Sequence, residues 1–299
     1  MYKFLFKIGL FLIPVISFIG LTEYFVTQIP NNYSYKENLI LNKSYKGVVL
    51  GNSHAYRGII AKNIDQETIN LANVSQSIDI DYEILKEVIK EQPPDYLIVN
   101  LSFPTFYGRL KYGESSWRIK NYNIYTSLQL DYRLKNNLEI LSGQFKDDVK
   151  QLYNYNNLGN DNVSCLSNGS EPSNNIKNLE KSGKIAAQRH MVNNYRFLSE
   201  NKSFLDEIIQ LSKKHDIHVI LVTPPSFEAY RNELDDNMLS EIFQYVEELQ
   251  AQNKNLVYIN LFSDKRFQDD MFKDGDHLNV NGAEFFTKLI NHEINLCYK

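Results

Sequence analysis

The run "IHVILVTPP", Ile217 to Pro225, contains Val219, Ile220, Leu221 and Val222 in succession with no polar residue between them. A strand with one wet face alternates apolar and polar residues, so an unbroken run of this kind predicts a strand buried on both faces. Four shorter runs repeat the pattern: "GVVL" (Gly47–Leu50), "TINLA" (Thr68–Ala72), "YLIVNLSF" (Tyr96–Phe103) and "LVYINL" (Leu256–Leu261). Between and after them the apolar residues change to a helical period. Ile80, Ile84, Leu85, Val88 and Ile89 share one face before "QPPD" breaks the helix. Further helices are marked by Phe204, Ile208, Ile209 and Leu211, by Leu239, Ile242, Phe243, Val246 and Leu249, and by Phe285, Phe286, Leu289 and Ile290. Buried strands alternating with helices predict βαβ units and a three-layer α/β sandwich around a parallel sheet of about five strands. In such a sheet ligands bind beyond the carboxyl ends of the strands.

A chain of 299 residues can bury such a core without a staple. Its two cysteines, Cys165 and Cys297, are far apart and form no CxxC pattern. That excludes a disulfide scaffold and a cysteine-rich metal site and leaves the redox compartment open. A formal net charge of -4 argues against a nucleic-acid partner. The N-terminus, "MYKFLFKIGLFLIPVISFIGLTEYFV", holds Lys3 and Lys7, then an uncharged stretch from Ile8 to Thr22, then Glu23. Phe4 to Val26 reaches the roughly 20 residues of a membrane span if Lys7 snorkels and Glu23 lies at the interface. A cleaved signal peptide is the rival. No small-residue cleavage site follows, which favours an uncleaved anchor over residues 1–27. Basic residues before the span and an acidic one after it place the bulk of the chain outside the cytoplasm, as a single-pass membrane protein. Residues 28–45 read as a polar linker, and residues 46–299 as the α/β domain. Within that domain, residues 107–203 read as an insertion or cap that holds Trp117 and a flexible tract, "NLGNDNVSCLSNGSEPSNN".

The stretch "GNSHAYRGI" follows the first strand directly, so Ser53 stands at a strand exit as either a helix cap or a nucleophile. A serine nucleophile needs a base within hydrogen-bond reach and a group that orients the base. There are six histidines. His215 and His218 flank the start of a strand, the wrong end for a site. His190 lies in the insertion, and His292 is on the last helix. His54, next to the serine, would point about 100° away from it on a helix and reads first as a packing or capping residue. His277 remains, in "MFKDGDHLNVNGAEFF", three residues after Asp274 in a glycine-containing loop. At that spacing a folded-back loop can bring the carboxylate to one ring nitrogen while the other faces outward. Asp276 reads as an acid favoured by the dipole of the following helix. Arg57, one turn beyond Ser53, could meet an anionic glycan or only solvent.

The order Gly-x-Ser after the first strand and Asp-x-x-His near the C-terminus resembles the SGNH/GDSL hydrolase superfamily. "VVLGNSHA" resembles its first block with Asn52 in place of the usual Asp, and "FKDGDHLNVNGAEFF" its last. "VILVTPP" resembles the strand before the last third. The N-terminal anchor, Gly-x-Ser-His and long insertion resemble the membrane-anchored branch, which includes proteins of teichoic-acid D-alanylation and alginate O-acetylation. The resemblance covers about residues 46–106 and 204–299 and implies a flavodoxin-like sheet order. It makes Ser53 the nucleophile, His277 the general base and Asp274 its orienting partner. The backbone N–H groups of Ser53 and Ser75 would form the oxyanion hole, with Ser75 where the family has a glycine. The family's third-block asparagine falls in Ser102–Thr105 and is missing here. One lost donor typically costs ~100- to 1000-fold in turnover. Asn73, Asn100 and Ser102, with His54 and Arg57, are the candidates to replace it or to touch substrate.

The function so implied is acyl transfer through an acyl-serine, as an O-acyltransferase or acylesterase on cell-envelope or exported polysaccharide. Its partners would be an acylated glycan or acyl donor, the membrane and a membrane-bound O-acyltransferase, with no cofactor and no metal. The rival is a non-catalytic module of the same fold that binds glycan or the membrane partner.

Overall fold

Four of the five apolar runs form strands shorter than the run itself, each ending on a polar residue (Asn70, Asn100, Thr223 or Asn260), while "GVVL" is a strand over its whole length. In this computed structural model, residues 2–142, 145–174 and 178–297 are described. In chain order the elements are α1 (Tyr2–Thr27), α2 (Asn32–Asn42), β1 (Gly47–Leu50), α3 (Ser53–Gly58), β2 (Thr68–Asn70), α4 (Ile78–Glu91), β3 (Tyr96–Asn100) and α5 (Phe103–Tyr107). Next come α6 (Ile119–Tyr125), α7 (Glu139–Ser142), α8 (Phe145–Leu158), α9 (Leu179–His190), α10 (Leu198–Lys214), β4 (His218–Thr223), α11 (Glu228–Arg231), α12 (Asp236–Gln252), β5 (Leu256–Asn260) and α13 (Val280–Cys297). Short 3-10 turns link several of them.

The strands form a single five-stranded sheet in the order β2-β1-β3-β4-β5, and every pairing is parallel. From β1 the chain moves outward to β2, then returns past β1 to β3. The direction of winding therefore reverses between β1 and β3, which opens a crevice at their carboxyl ends. Val49, Ile98, Ile220 and Val222 pack with Ala55, Tyr56 and Ile59 of α3 and Phe286, Ile290 and Ile294 of α13 in one core. Val48, Leu97, Val99 and Leu221, on the other face by the period of two, are equally buried. Both faces are covered, as the unbroken apolar runs require.

By contact density the chain divides into two units, Met1–Glu37 with Ser116–Ser164, and Asn38–Ser115 with Cys165–Lys299. In the first, the 22-residue stretch Phe6–Thr27 of α1 is long and apolar enough to cross a membrane. Near its end Glu23 accepts the backbone N–H groups of Glu139 (2.8 Å) and Ile140 (3.0 Å), so the acid expected at an interface stabilises the start of α7. Trp117 is 52 % exposed, with the Arg118 guanidinium over its ring. The second unit contains the sheet.

Two readings of the sequence change. Residues 28–45 are not a plain linker. They contain α2, on which Leu39 and Ile40 are buried. The supposed flexible tract, of which Asn175 lies outside the described residues, includes a segment bound to the sheet edge. The Asn70 N–H donates to the Asn168 carbonyl (2.7 Å), Asn168 Nδ2 donates to the Thr68 carbonyl (2.7 Å), and Ser170 Oγ donates to the Ile59 carbonyl (2.8 Å). Polar side chains that suggest a solvated loop are used here to satisfy β2, an edge strand with no neighbour on that side. The insertion over 107–203 is accordingly shared between the two units.

Asn70 fixes the crevice from below. It is fully buried, its Nδ2 donates to the Ala55 and Ile59 carbonyls (2.9 Å each), and its Oδ1 accepts the Ala72 N–H (3.0 Å). Asn70→Ala removes three buried hydrogen bonds to backbone groups and leaves the Ala72 N–H without this acceptor, at a cost on the order of 3 kcal/mol. The expected result is a lower midpoint in urea denaturation, and an unchanged midpoint would show that these bonds do not anchor α3.

Candidate active site

Gly51 follows β1 with φ +132°, and a Cβ there would stand 2.7 Å from Asn100 Cβ, so only glycine lets the chain turn out beside β3. Its N–H donates to Asp81 Oδ1 (3.0 Å). The choice between cap and nucleophile is resolved by the next residue. Asn52 is the N-cap of α3, its side-chain oxygen accepting the His54 N–H (3.1 Å). Ser53 is thereby released from capping. Its Oγ lies 2.7 Å from His277 Nε2, and His277 Nδ1 lies 2.9 Å from Asp274 Oδ1. The same carboxylate oxygen accepts the backbone N–H groups of Asp276 (3.1 Å) and His277 (2.8 Å), which folds the loop back on itself. Burial alone would raise the Asp274 carboxyl, but the hydrogen bond and charge of His277 outweigh it and hold it down to about 2. The structure thus brings together Ser53, His277 and Asp274 from opposite ends of the chain.

At the place expected for an oxyanion glycine, Ser75 has φ 63°, the left-handed conformation that glycine adopts freely and serine rarely. The backbone at Ser75 follows a path that glycine adopts without strain.

Other candidates fall elsewhere. Asn100 is fully buried and donates to Asn52 Oδ1 (3.2 Å), while Ser102 Oγ accepts from Asn52 Nδ2 (2.7 Å). Both therefore stand behind the serine as its support and do not line the cavity at the site. Asn73 is also buried, donating weakly to Gln76 Oε1 (3.3 Å). Arg57 is half-buried on α3 and lines no part of that cavity. His54 is buried, with Nδ1 2.8 Å from Asn52 Oδ1 and Nε2 2.9 Å from Asp276 Oδ1, so it does not face substrate. Asp276 is a partner of that ring and not an acid of the helix start. The first turn of α13 is served by Asn279, whose Oδ1 accepts the Gly282 N–H (3.1 Å).

The cavity itself, about 310 Å³, opens on Asp274, Asp276 and His277 and has a wall the sequence reading missed. Asn178, Lys181, Ser182, Ile185, Ala186 and Arg189 recur at helical spacing along one face of α9. α9 comes close enough to form this wall because a Cβ on Gly275 would lie 2.3 Å from Gly183 Cα. His190, at the end of α9, places Nε2 3.9 Å from Asp276 Oδ2 and Nδ1 2.8 Å from the Tyr230 hydroxyl. The histidine spacing to look for was therefore not local. Side-chain donors of His54, Asp276 and His277 lie within 4.8 Å of one another, as a metal site would require. Every nitrogen of the two rings already has a hydrogen-bond partner, so the set reads as a proton network.

Asp81 supports this site from beneath and titrates unusually. Burial, the largest effect, pushes its carboxyl up to about 7 despite hydrogen bonds from Gln76 and Gly51. The unfolded chain ionises it near 3.8, so its folded form loses stability as pH rises from 3.8 to about 7. Asp81→Asn keeps the acceptor oxygen without the titration. The stability of the variant relative to the native chain should grow across that window and level off above it, measured by denaturant midpoints at a series of pH values. A difference independent of pH would show that Asp81 does not titrate there.

A search of curated protein sequences finds no match. Among solved structures the chain is similar to a GDSL-like lipase from Bacteroides thetaiotaomicron VPI-5482, with 14% identity, 89% of this chain and 100% of that chain covered, and a TM-score of 0.44. It is also similar to the lipase/acylhydrolase from Enterococcus faecalis, with 14% identity, 83% and 95% of the two chains covered, and a TM-score of 0.35. A family profile described as "Protein of unknown function (DUF1574)" matches residues 119–292. That span takes in the α9 wall, the last two strands and the Asp274–His277 loop and is more than half of the chain, which therefore belongs to this family.

Proposed function

We propose that the protein is a serine-dependent acyl enzyme, a hydrolase or O-acyltransferase that forms an acyl-serine intermediate. The observation that carries this reading is the continuous chain Ser53 Oγ to His277 Nε2 (2.7 Å) and His277 Nδ1 to Asp274 Oδ1 (2.9 Å). An ionised Asp274 accepts the Nδ1 proton, which leaves the Nε2 lone pair for the serine hydroxyl. Ser53 Oγ attacks the acyl carbonyl as His277 takes its proton. Asp274 stabilises the imidazolium, and the oxyanion forms against the backbone N–H groups of Ser53 and Ser75. His277 then returns the proton to the leaving oxygen and activates the acceptor, which is water in hydrolysis or a sugar hydroxyl in transfer.

The setting is read from the chain's first residues. Lys3 before the apolar stretch Phe6–Thr27, Lys7 at its start and Glu23 near its end support a single-pass anchor with the site outside the cytoplasm. That location, together with the resemblance to the anchored branch of SGNH proteins, supports acylated cell-envelope or exported glycan as substrate and a membrane-bound O-acyltransferase as partner.

The test uses the full chain in detergent with a fluorophosphonate and, separately, an acetylated glycan and a chromogenic acetyl ester. The native chain should form an adduct on Ser53, located by mass spectrometry. Ser53→Ala and His277→Ala should each lower ester turnover by at least about 10,000-fold. No adduct on a folded chain would move the reading to the non-catalytic module.

A further inference from the structure

Two consecutive residues of α3 meet two consecutive residues of the Asp274–His277 loop. Ser53 meets His277 at 2.7 Å, and on the next rung His54 Nε2 meets Asp276 Oδ1 at 2.9 Å. The imidazole rings of His54 and His277 lie stacked, 4.8 Å between centroids and 19° between planes. The first rung belongs to the proposed chemistry. The second has no part in it, yet it buries a carboxylate and a histidine to 4% and 3% side-chain exposure beside the general base.

Hydrogen-bond chemistry fixes the charge of that histidine. The backbone N–H of His54 can only donate, so the Asn52 atom it meets at 3.1 Å is the amide oxygen. The same oxygen lies 2.8 Å from His54 Nδ1, which must therefore carry a proton. Nε2 faces Asp276, whose carboxyl stays ionised: burial opposes the charge, but the charge of His54 and the hydrogen bond from its ring hold it well below the usual carboxylate range. A carboxylate only accepts, so Nε2 carries a proton as well.

We infer that His54 is a resident imidazolium which neutralises Asp276, so that His277 remains an unprotonated base. Without that cation, two buried carboxylates would face one imidazole, since Asp276 Oδ2 is also only 3.8 Å from His277 Nδ1. Their combined charge would protonate His277 before it could accept a proton from Ser53. With the pair neutral, Asp274 alone bears on the base, which is the arrangement a triad uses. The other groups around the cluster do not supply the missing charge. From α9, His190 is driven down to about 4, by burial above all, and is neutral. From α11, Tyr230 is held neutral by burial, which pushes its hydroxyl up. Arg189 and Lys181 are exposed cations on the cavity wall, where water screens them. His54 touches no substrate in this scheme; it is a positioning residue that acts through His277.

This inference rests on the proposed acyl chemistry, and two readouts separate the failure of one from the failure of the other. The pH dependence of fluorophosphonate inactivation reports the protonation of His277. His54→Gln still donates to Asp276 but carries no charge. It should move the acid limb toward higher pH, because a neighbouring carboxylate left without its cation favours the protonated base. On the native limb this is a loss of rate, regained at alkaline pH. Adding Asp276→Asn should return the limb toward its native position. A limb unmoved in the single variant, or moved and not restored in the double, overturns the inference. Nitrogen NMR of the histidine-labelled native chain needs no reactivity. Both ring nitrogens of His54 should carry protons at neutral pH, as their two hydrogen-bond acceptors require. A neutral His54 ring at neutral pH overturns the inference. A native chain that never labels refutes the acyl enzyme, while the nitrogen shifts still decide the charge of His54.

Discussion

The site depends on one buried side-chain amide. Asn52 Oδ1 accepts the His54 N–H that starts α3, the His54 ring and the amide of Asn100, while Nδ2 donates to Ser102 Oγ. These contacts tie together the carboxyl ends of β1 and β3, the two strands between which the sheet reverses its direction of winding. A carboxylate could accept from the helix and the ring but could donate nothing to Ser102. The amide uses a donor that an aspartate in its place would lack. Because Asn52 takes the capping role, Ser53 is left with an unspent hydroxyl in the first turn of a short helix. The serine is available because its neighbour is not.

The loop opposite has the same economy. In "DGDH" two carboxylates flank a glycine, and each is assigned a different imidazole: Asp274 to His277 and Asp276 to His54. Gly275 lets α9 come down onto the loop, and Asp274 uses one oxygen to hold two backbone N–H groups and a ring. Few of these polar atoms are left to solvent, so the ring of His277 has little room to rotate away from Ser53. Electrostatics and geometry are therefore set by the same contacts, which is the condition for a preorganised base.

The cavity that a substrate would enter is built from the most polar part of the chain. α9 presents Lys181 and Arg189 at either end of a face whose middle is Ile185 and Ala186, so the wall offers both a charged rim and an apolar patch. The segment just before it, Asn168 and Ser170, completes the β2 edge of the same unit. A region that reads as decoration on the α/β core thus supplies part of the sheet's hydrogen bonding and one side of the site.

How much of this was legible follows from the range over which each interaction acts. The strands were read from unbroken apolar runs, and the α/β layering from the change of period between them, because burial on two faces leaves a mark on every residue of a strand. Ser53, Asp274 and His277 were legible because a strand exit and a Asp-x-x-His turn are local patterns. His190 and Asp276 were misread, and the partner of His54 went unseen, for the converse reason. Their roles come from contacts between residues such as 54 and 276, and spacing along the chain carries no information about such pairs. The helix in residues 28–45 and the ordered tract around Asn168 were missed because polarity marks solvent only when no backbone edge needs the donors. The sequence by itself determined a parallel α/β sheet and which serine stands at the exit of its first strand. Only the tertiary structure decided what surrounds that serine, since a histidine's charge and a carboxylate's partner depend on the atoms that fold against them.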